Sequence, residues 1–170
     1  MIKLIRPSAA DREKAIDFRN EFFNNGETVI NGSELLDRTE SYDDWLAAVK
    51  DNSRRETVNP DWVVTDTYFA VDHNDGIVGI IDLRHELKGF LEDFGHAGYS
   101  VRPSERGKGY ASEMLRLLTI RAKEAGLKEL LLSAERNNEP SVRTIVKNGG
   151  VYKRSFDFEG ETADVYSVSL

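Results

Sequence analysis

The segment 101–111 combines two glycines and three basic side chains in a spacing that suits the binding of an anion. Gly107 and Gly109 are separated by one residue, and they stand where a short apolar strand ends and a long amphipathic helix begins. Glycines let the backbone approach a ligand closely, and free N–H groups at the start of a helix attract negative charge. Because Arg106 and Lys108 add positive charge, the pattern predicts a pyrophosphate site, with a plain turn carrying solvated basic residues as the alternative.

Two other glycine-rich phosphate-binding patterns do not fit this segment. A Walker loop needs G-x-x-x-x-G-K followed by Ser or Thr, whereas Lys108 lies between two glycines that are one residue apart. A dinucleotide fingerprint needs a third glycine at position 112, where the chain has Ser112. The spacing therefore excludes both of these nucleotide-binding classes.

The composition narrows the function classes further. With 170 residues the chain is about one domain long, so we expect residues 1–170 to form a single domain. The absence of cysteine excludes disulfides, thiolate zinc sites and a cysteine nucleophile, and it fits a cytoplasmic location. No cluster of metal-ligating side chains is visible, and no apolar run approaches the ~20 residues of a membrane span. The net charge of −7 opposes binding to nucleic acid.

The periodicity of apolar residues predicts the elements that position this segment. A strand–helix–strand unit over 97–134 indicates a parallel crossover, whereas the hairpins on either side of it indicate antiparallel pairs. We therefore expect an α+β (mixed α/β) fold, with a mixed, mostly antiparallel central sheet of six to seven strands and helices on both faces. Strands are predicted at 2–6, 67–71, 77–83, 97–102, 130–132, 151–158 and 164–170, and helices after Ser8, around 34–38, after Ser41, over 107–125 and after Asn138.

Two motifs in this order resemble the GNAT superfamily of N-acetyltransferases. The run Arg106-Gly107-Lys108-Gly109-Tyr110-Ala111 is similar to the family's Arg/Gln-x-x-Gly-x-Gly/Ala pyrophosphate loop, and 98–103 looks like its fourth strand. Asn138-Glu139-Pro140-Ser141 and Lys147-Asn148-Gly149-Gly150 resemble its second coenzyme A motif. The resemblance covers about residues 66–170, extends to uncharacterised bacterial predicted acetyltransferases through Arg84-His85, and implies a GNAT-like acyl-CoA N-acyltransferase fold.

The resemblance implies acetyl-CoA as a cosubstrate, without a metal. The pantetheine arm would lie between the fourth and fifth strands, bonded to the backbone of Ser100 and Val101, and the amides of 106–111 would bind the pyrophosphate. Asn138 would hold the pantetheine arm, serve as a plain N-cap, or do both, and Ser141 would lie near the thioester. The implied cofactor-binding set is Ser100, Val101, Arg106, Gly107, Lys108, Gly109, Tyr110, Ala111, Asn138 and Ser141.

The resemblance further implies transfer of the acetyl group to a primary amine by direct attack on the thioester. An alkylamine with a pKa of ~10.4 must first lose a proton. His96 is the first candidate base, since it stands five residues before Val101, where similar sequences often carry a Glu. His85 and Glu86 are further candidates, although a histidine at a strand end is commonly a structural hydrogen-bonding group. The backbone N–H of Val101 would stabilise the oxyanion.

One position departs from the family pattern. Many relatives carry a Tyr seven residues after the motif asparagine, as the acid that protonates the sulfur, and this chain has Ile145 there. Tyr99, Tyr110, Tyr152 or water would have to replace it. The departure leaves open a catalytically impaired coenzyme A-binding sensor module, and an O-acyl or longer-chain acyltransferase is a third alternative, although no extra apolar segment would hold a long tail.

The resemblance implies that residues 9–51 cover the acceptor side, and this segment holds five basic and eleven acidic side chains. We expect Glu27, Glu34 and Asp37 to lie mainly on a solvated helix face, with attraction of a cationic amine as the alternative. The expected acceptor is an amine-bearing small molecule or peptide, with no nucleic acid and no membrane as partner. Pairing of two copies through the C-terminal hairpin is a further expectation.

Overall fold

The elements are those of a computed structural model that describes residues 1–170. The strands are β1 (Lys3–Ile5), β2 (Thr65–Val71), β3 (Ile77–Arg84), β4 (Tyr99–Val101), β5 (Glu129–Glu135), β6 (Val151–Phe158) and β7 (Glu161–Ser169). The α-helices are α1 (Arg12–Asn24), α2 (Tyr42–Asn52), α3 (Leu91–Phe94), α4 (Tyr110–Glu124) and α5 (Glu139–Lys147). None of these helices combines the length and the apolar character that crossing a lipid bilayer requires.

The strands form two antiparallel sheets, in the orders β1-β2-β3-β4 and β5-β7-β6. The two predicted hairpins are both present, as the β2–β3 pair and the β6–β7 pair. The predicted α+β class is therefore confirmed, with helices packed on both faces of the first sheet.

The predicted parallel pair of strands is not formed, although α4 does connect β4 to β5 as expected. The two segments meet only at an isolated antiparallel bridge between Gly95 and Leu132. Gly95 has a φ of +85°, and a Cβ on it would lie 2.3 Å from the carbonyl oxygen of Leu131, so this approach requires glycine. Beyond this point β4 and β5 separate, which divides the expected single mixed sheet into two.

The core has two parts, one on each face of the first sheet. Phe69 and Val71 of β2 face α1 and α2, whereas Tyr68 and Ala70 face α4, as the alternation of side chains along a strand requires. Gly79 allows α4 to lie close to β3, because a Cβ there would be 2.5 Å from the Sδ atom of Met114. The predicted apolar stripe of the long helix is confirmed by the complete burial of Met114, Leu115, Leu118 and Ala122.

The loop 25–41 between α1 and α2 differs from the prediction. The short helix expected around 34–38 is absent, because Glu34 and Leu35 adopt φ values of +50° and +69°, which a right-handed helix does not contain. The loop is anchored in the core instead: Leu36 is buried, and the carbonyl of Ser33 accepts a hydrogen bond of 2.8 Å from the indole N–H of Trp45. The loop 25–41 therefore holds a defined path over the first sheet.

Candidate active site

Six free backbone amides lie in and after the glycine-rich turn. The first amide after it that donates a backbone hydrogen bond is that of Glu113, to the carbonyl of Gly109, so the amides of 107–112 have no acceptor within the protein. Gly107 and Gly109 adopt φ values of +77° and +83°, and the space around both is open. The amide of Arg106 is outside this set, because it donates to Pro103 over 3.4 Å. With the positive end of α4, this turn can bind an anion.

The two basic side chains of the turn lie beside these amides, and each is paired with a carboxylate. The guanidinium of Arg106 donates to Glu27 over 2.8 and 3.1 Å, and it lies 5.6 Å from the centre of the Phe22 ring. The ammonium of Lys108 donates to Glu105 over 2.8 Å, and this hydrogen bond raises the pKa of Lys108. The carboxylates of Glu27 and Glu105 therefore already balance part of the positive charge that a bound diphosphate would contact.

A gap opens between β4 and β5 beyond His96. At its closed end the backbone N–H of His96 donates to the carbonyl of Leu131 over 2.7 Å. The backbone N–H of Leu131 returns a bond of 2.9 Å to the Nδ1 atom of the same histidine. No strand pairing joins β4 to β5 after this point, so the two facing strands leave room for an extended chain.

The free edge of β4 faces this gap with alternate residues only. The Gly98 carbonyl and the Arg102 amide both bond to β3. Because such groups alternate along an antiparallel strand, the backbone of Ser100 also faces β3, which corrects the prediction that it binds the pantetheine arm. Tyr99 and Val101 face the gap instead. The Val101 carbonyl also accepts a bond of 3.2 Å from Arg106.

The start of α5 lies across from β4. Asn138 caps the helix, since its side-chain oxygen accepts the amide of Ser141 over 3.3 Å, which is the plain N-cap role considered in the sequence. The Ser141 hydroxyl lies 2.8 Å from the phenol oxygen of Tyr99. Burial raises the pKa of the Tyr99 phenol, with the hydrogen bond between Tyr99 and Ser141 acting in the opposite direction. This contact brings together two residues that lie 42 positions apart, one from each motif.

The histidine predicted as the base is engaged in a structural hydrogen bond. Because the Leu131 amide can only donate, the Nδ1 atom of His96 accepts, and the proton of the neutral ring is then on Nε2. Neither ring nitrogen has a free lone pair for an amine proton. Burial also lowers the pKa of His96. The geometry therefore argues against His96 as the general base.

The two other predicted bases lie away from the gap. The Nε2 atom of His85 lies 2.7 Å from Asp66, a residue of β2 that also pairs with Arg6 over 2.7 Å. Since β3 separates β2 from β4, this cluster does not line the gap. Glu86 is exposed and pairs with Lys88 over 3.2 Å. The structure brings neither residue to β4.

Of the three tyrosines considered as acids, Tyr99 alone links β4 to α5. Ile145 is fully buried in the core. Tyr110 begins α4 and packs against the same core, and the Tyr152 hydroxyl bonds to Ser155 within β6. Tyr99 is therefore the one of these phenols that contacts the second coenzyme A motif, through Ser141.

Other contacts in the site were not predicted. The side-chain amide of Asn148 donates to the carbonyl of Ser112 over 3.2 Å and ties the end of α5 to the first turn of α4. Glu21 of α1 accepts the Ser104 amide over 2.7 Å and an Arg102 guanidinium N–H over 2.9 Å. The motif that contains Lys147 and Asn148 indicated that Asn148 belongs to the site, but no local sequence pattern indicates a role for Glu21. The described chain contains no group of three or more residues placed to hold a metal ion.

Comparison with known proteins gives the fold and the family. The sequence model of the acetyltransferase (GNAT) domain matches residues 3–151. No curated protein matches the chain. The structure of RimL, a ribosomal L7/L12 alpha-N-protein acetyltransferase in complex with coenzyme A, has a TM-score of 0.73 at 12% identity over 99% of this chain and 94% of that chain.

Two further solved structures have the same fold. Mutant forms of the spermidine/spermine N-acetyltransferase SpeG from Vibrio cholerae give a TM-score of 0.67 at 15% identity, over 99% of this chain and 93% of that chain. The microcin C7 self-immunity acetyltransferase MccE, in complex with acetyl-CoA and AMP, gives 0.71 at 15% identity, over 99% and 92%. Because the domain model accounts for most of the chain and these enzymes share its fold, the protein belongs to the GNAT family of acetyltransferases.

Proposed function

We propose that this protein is an acetyl-CoA-dependent N-acetyltransferase that acts on a primary amine by direct attack on the thioester. The observation that carries the proposal is the row of free amides at 107–112 beside a gap lined by the free backbone N–H groups of Tyr99 and Val101 and the free carbonyl of Tyr99. A diphosphate needs N–H donors, and the amides of a pantetheine arm need both donors and acceptors. The residues present fit these needs, and acetyl-CoA when bound supplies the acetyl group as an activated thioester.

Each part of the site has a binding role in this proposal. The amides of 107–112, with Arg106 and Lys108, hold the diphosphate. Tyr99 and Val101 hold the pantetheine arm as a neighbouring strand would. Asn138 uses its side-chain oxygen to cap α5, so its NH2 group is free to donate to the same arm.

Two groups of the chain act on developing charge. The Val101 N–H faces the gap without a strand partner, so it can donate to an acyl oxygen that gains negative charge. The Tyr99 phenol, with Ser141 behind it, can give a proton to the departing sulfur. Its raised pKa keeps the phenol protonated until that step.

The proposed acceptor is a cationic amine, either a small molecule or a peptide. The net charge of −7 attracts cations and repels nucleic acid. RimL is described as acting on a ribosomal protein and SpeG on spermidine and spermine, which are both amine-bearing substrates. A cytoplasmic location and the lack of a membrane partner stay predictions from composition.

We also propose that two copies pair through β6. This strand is the edge of its sheet and leaves 61% of Val151 and 53% of Tyr152 exposed. An unpaired strand edge with apolar side chains is a template for association. Light scattering on the purified protein is expected to give twice 19.2 kDa, and a mass of 19.2 kDa at micromolar concentration would contradict the pairing.

A sensor that binds coenzyme A without catalysis is the second candidate, and Ile145 in place of the family's tyrosine favours it. Acetyl-CoA is incubated with the protein and with spermidine, kanamycin, a peptide with a free amino terminus or a peptide with an internal lysine, while free thiol is followed. Amine-dependent thiol release supports the enzyme, and binding without release supports the sensor. Repeating the assay with octanoyl-CoA tests the longer-chain alternative, for which we expect slower release.

A further inference from the structure

A carboxyl pair lies on the face of the first sheet that the loop 25–41 covers. Asp82 of β3 is fully buried, lies 3.1 Å from the Arg84 guanidinium, and accepts the Gly98 amide over 2.6 Å. The carboxyl group of Glu34, from the loop 25–41, faces Asp82 and lies beside Arg84 and the indole N–H of Trp62. Glu34 is half-buried, whereas Asp82 is fully buried, so Glu34 is the more accessible residue of the two.

Unpaired polar atoms gather around this pair. Buried side-chain polar atoms of Ser33, Thr67 and Arg84 (its Nε atom) have no hydrogen-bond partner, and the Oδ2 atom of Asp82 has only its ion pair with Arg84. Ser33 precedes Glu34, and Thr67 lies directly across from Asp82 in the strand register. Buried polar groups are normally paired, so such a concentration points to a functional site.

The carboxyl pair is joined to the strand that lines the gap. Gly32 lies so close to Gly98 that a Cβ on it would be 2.2 Å from the Gly98 carbonyl oxygen. The Ser100 hydroxyl donates to the carbonyl of Asn31 over 2.9 Å. Since neighbouring residues of a strand point to opposite faces, Ser100 faces the loop 25–41 while Tyr99 faces α5. The carboxyl pair and the Tyr99 phenol thus lie on opposite sides of β4.

We propose that Glu34, held beside Asp82, takes the proton from the ammonium form of the acceptor, which approaches β4 on the face covered by the loop 25–41. This inference rests on the proposed N-acetyltransferase function. Glu34 receives one proton from R–NH3⁺, which frees the lone pair of the nitrogen. That lone pair forms the N–C bond to the acetyl carbon, and the C–S bond breaks with its electron pair on sulfur. The nitrogen loses its second proton to water, Tyr99 gives one proton to the sulfur and is reprotonated from water, and Glu34 later releases its proton to water.

The surroundings of Glu34 set the pH at which it can act. Burial and then the charge of Asp82 raise the pKa of Glu34 to about 8, against the opposing effects of Arg84 and the Trp62 indole. His96, which precedes β4, contacts Arg84 through the backbone, since its carbonyl accepts the Arg84 amide over 2.7 Å. Near neutral pH Glu34 is therefore mainly protonated, and its basic form becomes dominant above pH 8.

The pH profile of kcat/KM with the best acceptor of the amine panel tests this role. The kcat/KM of the wild type is expected to rise with pH and to level off above pH 8. Below pH 8, the kcat/KM of the Glu34→Gln variant is expected to be lower than that of the wild type by about 100-fold or more. The kcat/KM of this variant should keep rising towards the amine pKa of ~10.4, because the variant can use only the neutral amine. Asp82→Asn removes a negative charge and should move the wild-type break to lower pH.

Two controls separate a base from a structural residue. Glu40→Gln removes an exposed carboxyl group of the same loop and should match the wild type. O-methylhydroxylamine is already neutral at these pH values, so it needs no base to remove a proton before it attacks. The Glu34→Gln variant should therefore acetylate it at close to the wild-type rate. An unchanged profile for Glu34→Gln with the alkylamine, or equal losses with both acceptors, would overturn the assignment.

A readout without turnover tests the proton itself. The unfolded chain releases the Glu34 proton near its ordinary pKa of 4.5, and the folded chain near 8. Between these values the folded state binds more protons, so unfolding free energy falls as pH rises. Glu34→Gln should lack this slope, and an unchanged slope would refute the proposal. Calorimetry with coenzyme A should give the wild-type affinity for Glu34→Gln, and a wild type that binds no coenzyme A would instead contradict the proposed function.

Discussion

Glu27 and Arg106 form a two-bonded ion pair, with distances of 2.8 and 3.1 Å, between the loop 25–41 and the turn before α4. The pairing lowers the pKa of Glu27, for which the hydrogen bond from Arg106 is the largest cause. Arg106 also lies over the Phe22 ring at 5.6 Å, so Glu27 is not its only support. A diphosphate bound at the turn must therefore compete with Glu27 for the guanidinium.

Glu27→Gln is expected to tighten coenzyme A binding. The change removes the competing charge while Phe22 still holds the guanidinium, and an exposed ion pair of about 1 kcal/mol corresponds to about 5-fold in affinity. Titration calorimetry measures the effect, with Glu40→Gln as the control for loss of a carboxyl group in the same loop. Weaker binding by Glu27→Gln would show that Glu27 positions Arg106 for the ligand.

Tyr99→Phe is expected to lower kcat by about 100-fold, a usual contribution of a positioned acid, while leaving the affinity for coenzyme A unchanged. The phenol oxygen is lost, but the backbone groups of Tyr99 that face the gap remain. Steady-state kinetics and calorimetry on the same variant separate the two effects. Tyr152→Phe is the matched control, because its hydroxyl bonds to Ser155 within β6. Equal kcat values for Tyr99→Phe and the wild type would assign the proton to water.

His96 variants are expected to change stability more than turnover. His96→Ala leaves the Leu131 amide without its acceptor, which costs about 1–3 kcal/mol of unfolding free energy. His96→Asn keeps an acceptor near the position of Nδ1 and should retain most of both properties. Urea denaturation and kcat, measured on both variants, test this. A loss of turnover in His96→Asn without a loss of stability would restore His96 as the base.

The pKa of His96 also predicts how stability depends on pH. Burial lowers this pKa in the folded protein, whereas the unfolded chain binds the proton near pH 6.5. Between the two values the unfolded state holds more protons, so the His96 contribution to stability is lost as the pH falls below 6.5. Denaturation at a series of pH values should show this loss in the wild type and not in His96→Asn.

The parts of the site that local pattern dictates were predictable from the sequence. The glycine spacing at Gly107 and Gly109, the apolar stripe of α4 and the cap at Asn138 each depend on a few neighbouring residues. The backbone direction of Ser100 was not predictable, because a shift of one residue in strand register exchanges the two edges. The division into two sheets depends on Gly95, whose positive φ no neighbouring residue indicates.

The carboxyl pair was hidden from the sequence for a different reason. Glu34 and Asp82 lie 48 positions apart, and the loop that brings them together follows a left-handed backbone at Glu34 and Leu35. The expectation of a solvated helix face was wrong for all three acidic residues considered. Glu34 faces Asp82, Glu27 binds Arg106, and Asp37 accepts the Ile30 amide over 2.8 Å. Such contacts are set by tertiary packing.

Calorimetric titration of coenzyme A into two glycine variants tests the central claim most directly. Gly109 and Gly126 lie near opposite ends of α4 with φ values of +83° and +90°, and a Cβ on either meets no atom within 4 Å, so an aspartate strains both positions alike. Only Gly109→Asp places a negative charge among the free amides. We expect one coenzyme A per chain in the wild type and in Gly126→Asp, and no measurable binding in Gly109→Asp. Absence of binding by the wild type, or equal affinity in the two variants, would contradict the assignment of this turn.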